Sequence, residues 1–457
     1  MDCVRATCRR DSRQSNMRMF APGCVVSAVM SCVLLQWAND CTRSVRWFRP
    51  ILCRMNRSSS RNSAPHRIPR TRKQPLFAMK HTEVDVSTIH YALRSAHAAP
   101  PIASGEANST PLLSECTDKL GRPLKDLRLS VIDQCNFRCT YCMPKEVFMK
   151  DYPFLRSASR LSFDQMTFLA KAFVMLGVEK IRITGGEPLL RKDLETLIAR
   201  LARLRTPEGK DVEIALTTNG SLLAAKARSL RDAGLRRVTV SLDSLDDAIF
   251  QRMNDVGFPV ARVLEGIQAA AAAGLSPVKV NTVVERGVNE NQILPIARYF
   301  RNTGVVVRFI EFMDVGGAAS WARKNVFTSD DARRLIEGEF ALQPLLTQRA
   351  NDTARNFDYV DGAGSVGFIS SVSQPFCGDC TRARVSSDGK MFTCLFATGS
   401  LDLKPWLGEA LAPEALAQEI LARWRDRDDR YSELRGVRAR VGSKKVYPTV
   451  RMSLVGG

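Results

Sequence analysis

The sequence predicts an α/β fold, a parallel sheet curled into an incomplete (β/α)6 barrel of TIM type, with a distinct C-terminal module. Two observations carry this. From residue 126 to 312, short runs of β-branched and aliphatic residues alternate six times with amphipathic helical segments, the pattern of repeated βα units. Polar and unusual residues then cluster where each of those runs ends, as they do at the one mouth of a parallel barrel where chemistry gathers.

The units follow in order. DLRLSVID (126–133) is strand-like, and a cysteine-rich stretch follows it. Residues 162–177 read as a helix, with Phe163, Met166, Leu169, Ala170 and Phe173 on one face. KIRITGG (180–186) is the second strand, followed by Glu187-Pro188 and a helix over 191–205. VEIALTT (212–218) ends in Thr217-Thr218-Asn219-Gly220 and leads to a helix over 221–233. RRVTVSL (236–242) carries Ser241 and Asp243 at its end and precedes helical segments at 246–254 and 260–273. PVKVNTVV (277–284) precedes a helix over 290–302. VVVRFIEF (305–312) closes the series, with Glu311, Met313 and Asp314 at its end. Past about residue 330 the rhythm breaks, and a module with its own cysteines runs to residue 457.

The chain has 457 residues, 45% of them hydrophobic, enough for a large core. Its formal charge of +20 is unevenly spread: residues 1–80 hold 16 Lys and Arg against 3 Asp, and the remainder is only +7. No basic run with interleaved aromatics appears in the body. A polyanionic small molecule therefore suits that charge better than a nucleic acid.

Residues 1–110 lie outside the predicted fold, which begins near 111. Residues 19–38 are mostly apolar but contain Pro22 and Gly23, so they barely meet the length of a membrane anchor. The Arg-rich, acid-poor character also fits an organelle transit peptide. A third reading, slightly preferred, is that translation starts later, for example at Met79. Residues 96–112 read as a linker of small residues and proline.

Of thirteen cysteines, six lie in the first 53 residues, Cys116 stands alone, and six form two tight clusters. Clustering in a long chain points to metal or cofactor ligands in a reducing compartment. Cys135, Cys139 and Cys142 have the spacing C-x3-C-x2-C; Cys377, Cys380 and Cys394 have C-x2-C-x13-C. A structural zinc site wants four ligands, and none of the four histidines is near in sequence. Three thiolates suit a cubane cluster of four irons, with one iron left open to another molecule. A partial zinc site or buried thiols are the plainer alternatives. Arg382 and Arg384, beside the second triad, suit a phosphate, because guanidinium offers a planar fork of donors.

The first triad after the first strand, with Gly185-Gly186-Glu187-Pro188 after the second, resembles the radical S-adenosylmethionine superfamily. Together with DLRLSV, LTTNGSLL, RFIEFMDVG, FCGDCTRARVSSDGK and the terminal Gly456-Gly457, the chain from about Lys119 onward resembles the GTP 3′,8-cyclase family of molybdenum cofactor biosynthesis. The resemblance implies a residues 111–330 barrel whose mouth is covered by an iron–sulfur and GTP-binding module, residues 331–457. It implies two 4Fe–4S clusters, one on Cys135, Cys139 and Cys142, the other on Cys377, Cys380 and Cys394. Tyr141, Gly186, Ser241 and Met313 match positions around S-adenosylmethionine. Arg128, Arg182, Thr217, Lys279, Arg382, Ala383 and Arg384 match GTP contacts. Arg382, Arg384, Gly456 and Gly457 are implied to support catalysis, the tail by reaching into the mouth. Gln134 stands where the family often has Arg, and Ile132 where Thr is usual. The implied reaction begins with a 5′-deoxyadenosyl radical that abstracts the 3′ hydrogen of GTP. The sugar radical closes on C8 of the guanine, and one-electron reduction completes 3′,8-cyclo-7,8-dihydro-GTP. The implied partners are a flavodoxin or ferredoxin as reductant and the cyclic pyranopterin monophosphate synthase that takes the product. A monomer or homodimer in the cytoplasm is expected, or in the mitochondrial matrix if the N-terminal segment is a transit peptide.

Overall fold

The computed structural model describes residues 116–315, 321–345, 352–408, 410–440 and 451–456, with side chains to residue 435 in the fourth stretch. The expectations for residues 1–110 and for Gly457 lie outside the described residues. Among the described residues, no helix is long and apolar enough to cross a membrane.

Six parallel strands form where the alternation predicts them: β1 (Asp126–Ser130), β2 (Lys180–Thr184), β3 (Glu213–Thr218), β4 (Arg237–Ser241), β5 (Lys279–Val284) and β6 (Val306–Glu311). They are neighbours in sequence order, as short crossovers require. The helix α1 (Phe163–Met175) starts with a capping box, in which Ser162 and Gln165 satisfy each other's backbone N–H groups. Met166, Leu169, Ala170 and Phe173 of the predicted face are buried. Phe163, the fifth, is only partly buried, at the first turn. The helix predicted over 191–205 is shorter, Leu194–Leu201, because Pro188 starts a separate 3-10 turn before it.

The C-terminal region does not form a separate sheet. Strand β9 (Ser365–Ile369) pairs parallel with β6, and β10 (Arg382–Val385) pairs parallel with β1. Antiparallel β7 (Leu342–Pro344) and β8 (Arg355–Tyr359) extend one edge; β11 (Lys390–Phe392) and β12 (Leu401–Asp402) extend the other. The result is one twelve-stranded sheet whose two edges are built from the last third of the chain. No pairing joins β9 to β10, so the barrel is incomplete.

The strands alternate in a way that decides the rest. Leu127, Leu129, Ile181, Ile183, Ile214, Leu216, Val238 and Val240 belong to the buried core, which includes Leu169 and Phe173 of α1. Their neighbours Arg128, Arg182, Thr217 and Thr239 line a cavity on the other face. Removing one such core leucine would cost about 2–5 kcal/mol.

Candidate active site

The cavity inside the sheet has a volume of about 560 Å³. Both cysteine triads line it, although the last cysteine of the first triad and the first of the second lie 235 positions apart. All six thiols are free and partly exposed.

The first triad sits on the loop after β1. That loop is held from two sides. Gly186 N–H donates to Ile132 O at 2.7 Å, and Glu187 N–H to Gln134 O at 2.8 Å. A Cβ on Gly186 would lie 2.2 Å from Gln134 O, so only glycine lets the two loops meet this closely. From the other side, Arg138 N–H donates to Asn254 O at 2.9 Å and Thr140 N–H to Met253 O at 3.2 Å. Glu187 is fully buried and accepts from Leu189 N–H, Thr218 Oγ1 and Asn219 N–H, at 3.0, 2.7 and 2.7 Å. Burial nevertheless pushes its carboxyl up to about 7. Asn219, thus fixed, directs its amide to Cys135 Sγ at 3.8 Å, and Phe137 N–H reaches the same sulfur at 3.4 Å. Burial pushes the thiols of Cys135 and Cys142 up to about 12 and raises Cys139 well above its ordinary value. Without a bound cation these sulfurs are held as thiols; a metal would convert them to thiolates.

Tyr141, Gly186, Ser241 and Met313 line the same cavity. Tyr141 OH donates to Asp243 Oδ2 at 2.7 Å, and Val283 N–H donates to Asp243 Oδ1 at 2.9 Å. Burial raises Asp243 to about 6.

Between the triads the wall is cationic. Strand register puts Arg128 beside both Arg182 and Arg384. Arg182 donates to Thr217 Oγ1 at 3.2 Å and Thr239 Oγ1 at 3.1 Å. Arg308 donates to the same Thr239 hydroxyl at 3.4 Å. Arg382 donates to Thr353 Oγ1 at 3.0 Å. These groups disfavour one another. Burial, then Arg384, Arg382 and Arg182, push Arg128 well below the ordinary guanidinium range. Burial with Arg182 and Arg382 takes Arg308 down to about 9, and burial with Arg382 takes Arg384 to about 10. Burial and Arg308 bring Lys279 to about 7; burial and Arg182 bring Lys180 to about 8. Buried cations in mutual repulsion form a site that a multiply charged anion relieves.

The second triad lies on the loop before β10 and the turn after β11. Phe396 N–H donates to Cys394 Sγ at 3.4 Å. Burial raises the Cys394 thiol to about 11. At Cys380 burial also acts upward, but Arg382 and Arg427 outweigh it and hold the thiol below its ordinary value. Among the described residues, no three His, Cys, Asp or Glu side chains close on a point fit for a single metal ion. A cubane is a larger body, and three sulfurs on a cavity wall, one in each triad reached by an amide donor, suit it in donor chemistry.

Two expected residues differ from the rest. Ala383 belongs to the hydrophobic core beside Leu127, on the face of β10 away from the cavity, so its side chain is not part of the wall. Gly456 is reached by Arg384, whose Nη1 donates to its carbonyl. The turn before it, Met452–Val455, buries Val455 against Phe392 and Ala397. Thr239 and Arg308 escaped the sequence reading. Their signal is the alternation itself: in RVTVS and VVRFIE the polar residue of the period-2 pattern marks the inner face.

Comparison with known proteins agrees with this arrangement. Residues 129–300 match the Radical SAM superfamily, and residues 305–433 match Molybdenum Cofactor Synthesis C. The chain is 52% identical over 340 residues to the GTP 3′,8-cyclase of Xanthomonas axonopodis pv. citri, covering 74% of this chain and 98% of that one. It is 45% identical over 347 residues to the GTP 3′,8-cyclase of Staphylococcus aureus, covering 76% and 100%. The crystal structure of Streptococcus suis SuiB bound to S-adenosylmethionine aligns at a TM-score of 0.46 and 18% identity, over 70% of this chain and 68% of that one, too loosely to bear on function. With a relative matched over nearly its whole length at half identity, and with both cysteine triads on one cavity, the chain belongs to the GTP 3′,8-cyclase family of radical S-adenosylmethionine enzymes.

Proposed function

We propose that this chain converts GTP to 3′,8-cyclo-7,8-dihydro-GTP, the first step of molybdenum cofactor biosynthesis. The observation that carries the reading is a single cavity with a thiol triad from each half of the chain and a wall of arginines between them. Cys135, Cys139 and Cys142 would hold one 4Fe–4S cluster, with S-adenosylmethionine beside Tyr141, Gly186, Ser241 and Met313. Cys377, Cys380 and Cys394 would hold a second, next to the guanine. When bound, the first cluster and S-adenosylmethionine supply the carbon radical that takes the 3′ hydrogen of GTP.

The rest is done by side chains. Arg128, Arg182, Lys279, Arg308, Arg382 and Arg384 take the triphosphate, exchanging mutual repulsion for charge-assisted hydrogen bonds. Thr217 and Thr239 set the direction of Arg182. Fixed at both ends, the nucleotide presents its sugar at one distance from the first triad, which is the main contribution a protein makes to such a reaction. Arg384 and the Gly456 carbonyl close one side of the cavity and keep competing hydrogen donors out.

A flavodoxin or ferredoxin would supply the electrons, and cyclic pyranopterin monophosphate synthase would take the product. Free thiols of this kind need a reducing compartment, cytosol or mitochondrial matrix. The test is anaerobic incubation with GTP, S-adenosylmethionine and dithionite, followed by mass analysis. 5′-Deoxyadenosine and a cyclised nucleotide of unchanged triphosphate count are expected only when GTP is present. Iron-loaded protein that forms 5′-deoxyadenosine equally with and without GTP would overturn the reading.

A further inference from the structure

Two arginines that have no part in the scheme above converge on the second cysteine loop. Arg122 comes from the segment before β1, and Arg427 follows the helix Pro413–Arg425. Their side chains are 2% and 1% exposed. Arg122 Nη1 donates to Cys377 O at 2.7 Å, and Arg427 Nη1 donates to Cys380 O at 2.8 Å. One buried carboxylate joins them: Asp118 Oδ2 accepts from Arg122 Nε at 2.6 Å and from Arg427 Nη1 at 3.0 Å. Asp429 lies 3.6 Å from Arg427 Nε, too far for a hydrogen bond, and is more than a quarter exposed. Arg122 Nη2 has no hydrogen-bond partner among the described residues. Both arginines line the cavity.

A buried ion pair that served only the fold would need no contact with the cysteines. Here each guanidinium grips the main-chain carbonyl of a cysteine in the triad. The group carries two buried positive charges against the fully buried Asp118 and the Asp429 carboxylate paired with Arg427, which water screens in part, so a positive excess remains. In so dry a setting that surplus is weakly screened. A nearby positive charge favours the more negative, reduced state of a cluster, and hydrogen bonding and local charge are the levers by which a protein sets cluster potential.

We propose that Arg122 and Arg427, joined through Asp118, are positioning residues for the second cluster, fixing the Cys377–Cys380 loop and raising the cluster's one-electron reduction potential. This rests on the reading that Cys377, Cys380 and Cys394 hold a cluster. The couple gains one electron, here from dithionite, and no proton.

The test uses the full chain with Cys135, Cys139 and Cys142 all changed to serine, so that only the second cluster assembles. Iron content, thermal midpoint and an anaerobic redox titration followed by electron paramagnetic resonance are read together. In that background Arg427→Gln should shift the reduction equilibrium about tenfold toward the oxidised state, about 59 mV for one electron. Arg427→Lys, which keeps the charge, should recover most of that shift. Asp118→Asn should move the potential the opposite way, and it carries the test if Arg427→Gln does not fold. Unchanged potentials in folded, iron-loaded variants would overturn the inference, as would a failure of both Arg427→Gln and Asp118→Asn to fold, which would assign the group to stability alone. A parent that binds no iron at this triad would overturn the cluster reading itself, a result distinguishable from either.

Discussion

Arg384 on β10 donates a hydrogen bond to the main-chain carbonyl of Gly456, 72 residues further along the chain. The contact depends on glycine. Gly456 has φ +69°, and a Cβ there would lie 1.9 Å from Thr184 Oγ1 at the end of β2. The chain end is therefore seated against the strand that leads into the Gly185-Gly186 turn.

Gly456→Ala should unseat it. The left-handed backbone and the clash act together, and relief requires the carbonyl to leave Arg384. GTP-dependent 5′-deoxyadenosine formation should fall at least tenfold, while iron content and thermal midpoint stay close to the parent, because only the last turn moves. Turnover equal to the parent would show that the seated tail contributes nothing.

Thr239 is the shared acceptor of Arg182 and Arg308. Thr239→Val removes the acceptor at constant shape and lets the two guanidiniums drift. A net loss of about 1 kcal/mol for each of the two hydrogen bonds predicts a rise in KM for GTP of about thirtyfold. The kcat should hold within about twofold, and Thr239→Ser should restore KM. Steady-state kinetics would exclude this role if kcat fell while KM stayed constant.

The cationic wall also predicts proton uptake on binding. Lys279 is held at about 7 and Lys180 at about 8 in the free site, chiefly by burial. A triphosphate raises both. Well below pH 7 both lysines already carry their protons, so they take up little on binding and add no pH dependence to the affinity. Above pH 7 the free site has lost protons that the complex retains, so affinity falls as pH rises, by up to about tenfold per unit for each proton taken up. Titration calorimetry of GTP binding at pH 8.5, in two buffers of different ionisation heat, should show an uptake near one proton or more. Zero uptake would mean that neither lysine faces the phosphates. Lys279→Met should lower the measured uptake.

Much of this was legible in the residues. Five of the six strands lie within two residues of their predicted bounds and the first ends three residues early, because each is a short β-branched run between helical segments with clear periodicity. The same rhythm put the cysteine loop after β1 and the Gly185-Gly186 turn after β2, both of which line the cavity. The edges of the sheet did not. Nothing local in Ser365–Ile369 or Arg382–Val385 says that one pairs with β6 and the other with β1, since register between distant segments is set by tertiary packing. The inner wall was missed for a different reason. Polar residues stand out at strand ends, whereas Thr239 and Arg308 stand in mid-strand, at positions where a filled barrel would carry aliphatic side chains. The Asp118–Arg122–Arg427 group joins positions more than 300 residues apart, and no spacing rule reaches that far.

The strand order has a bearing on biosynthesis. A ribosome releases β1 long before β10 and β6 well before β9, so the nascent barrel waits with two raw flanks. Bare strand edges invite pairing with other chains. A product that stops short of residue 365 would keep both flanks open permanently, which makes every such truncation a candidate for aggregation as well as for lost chemistry.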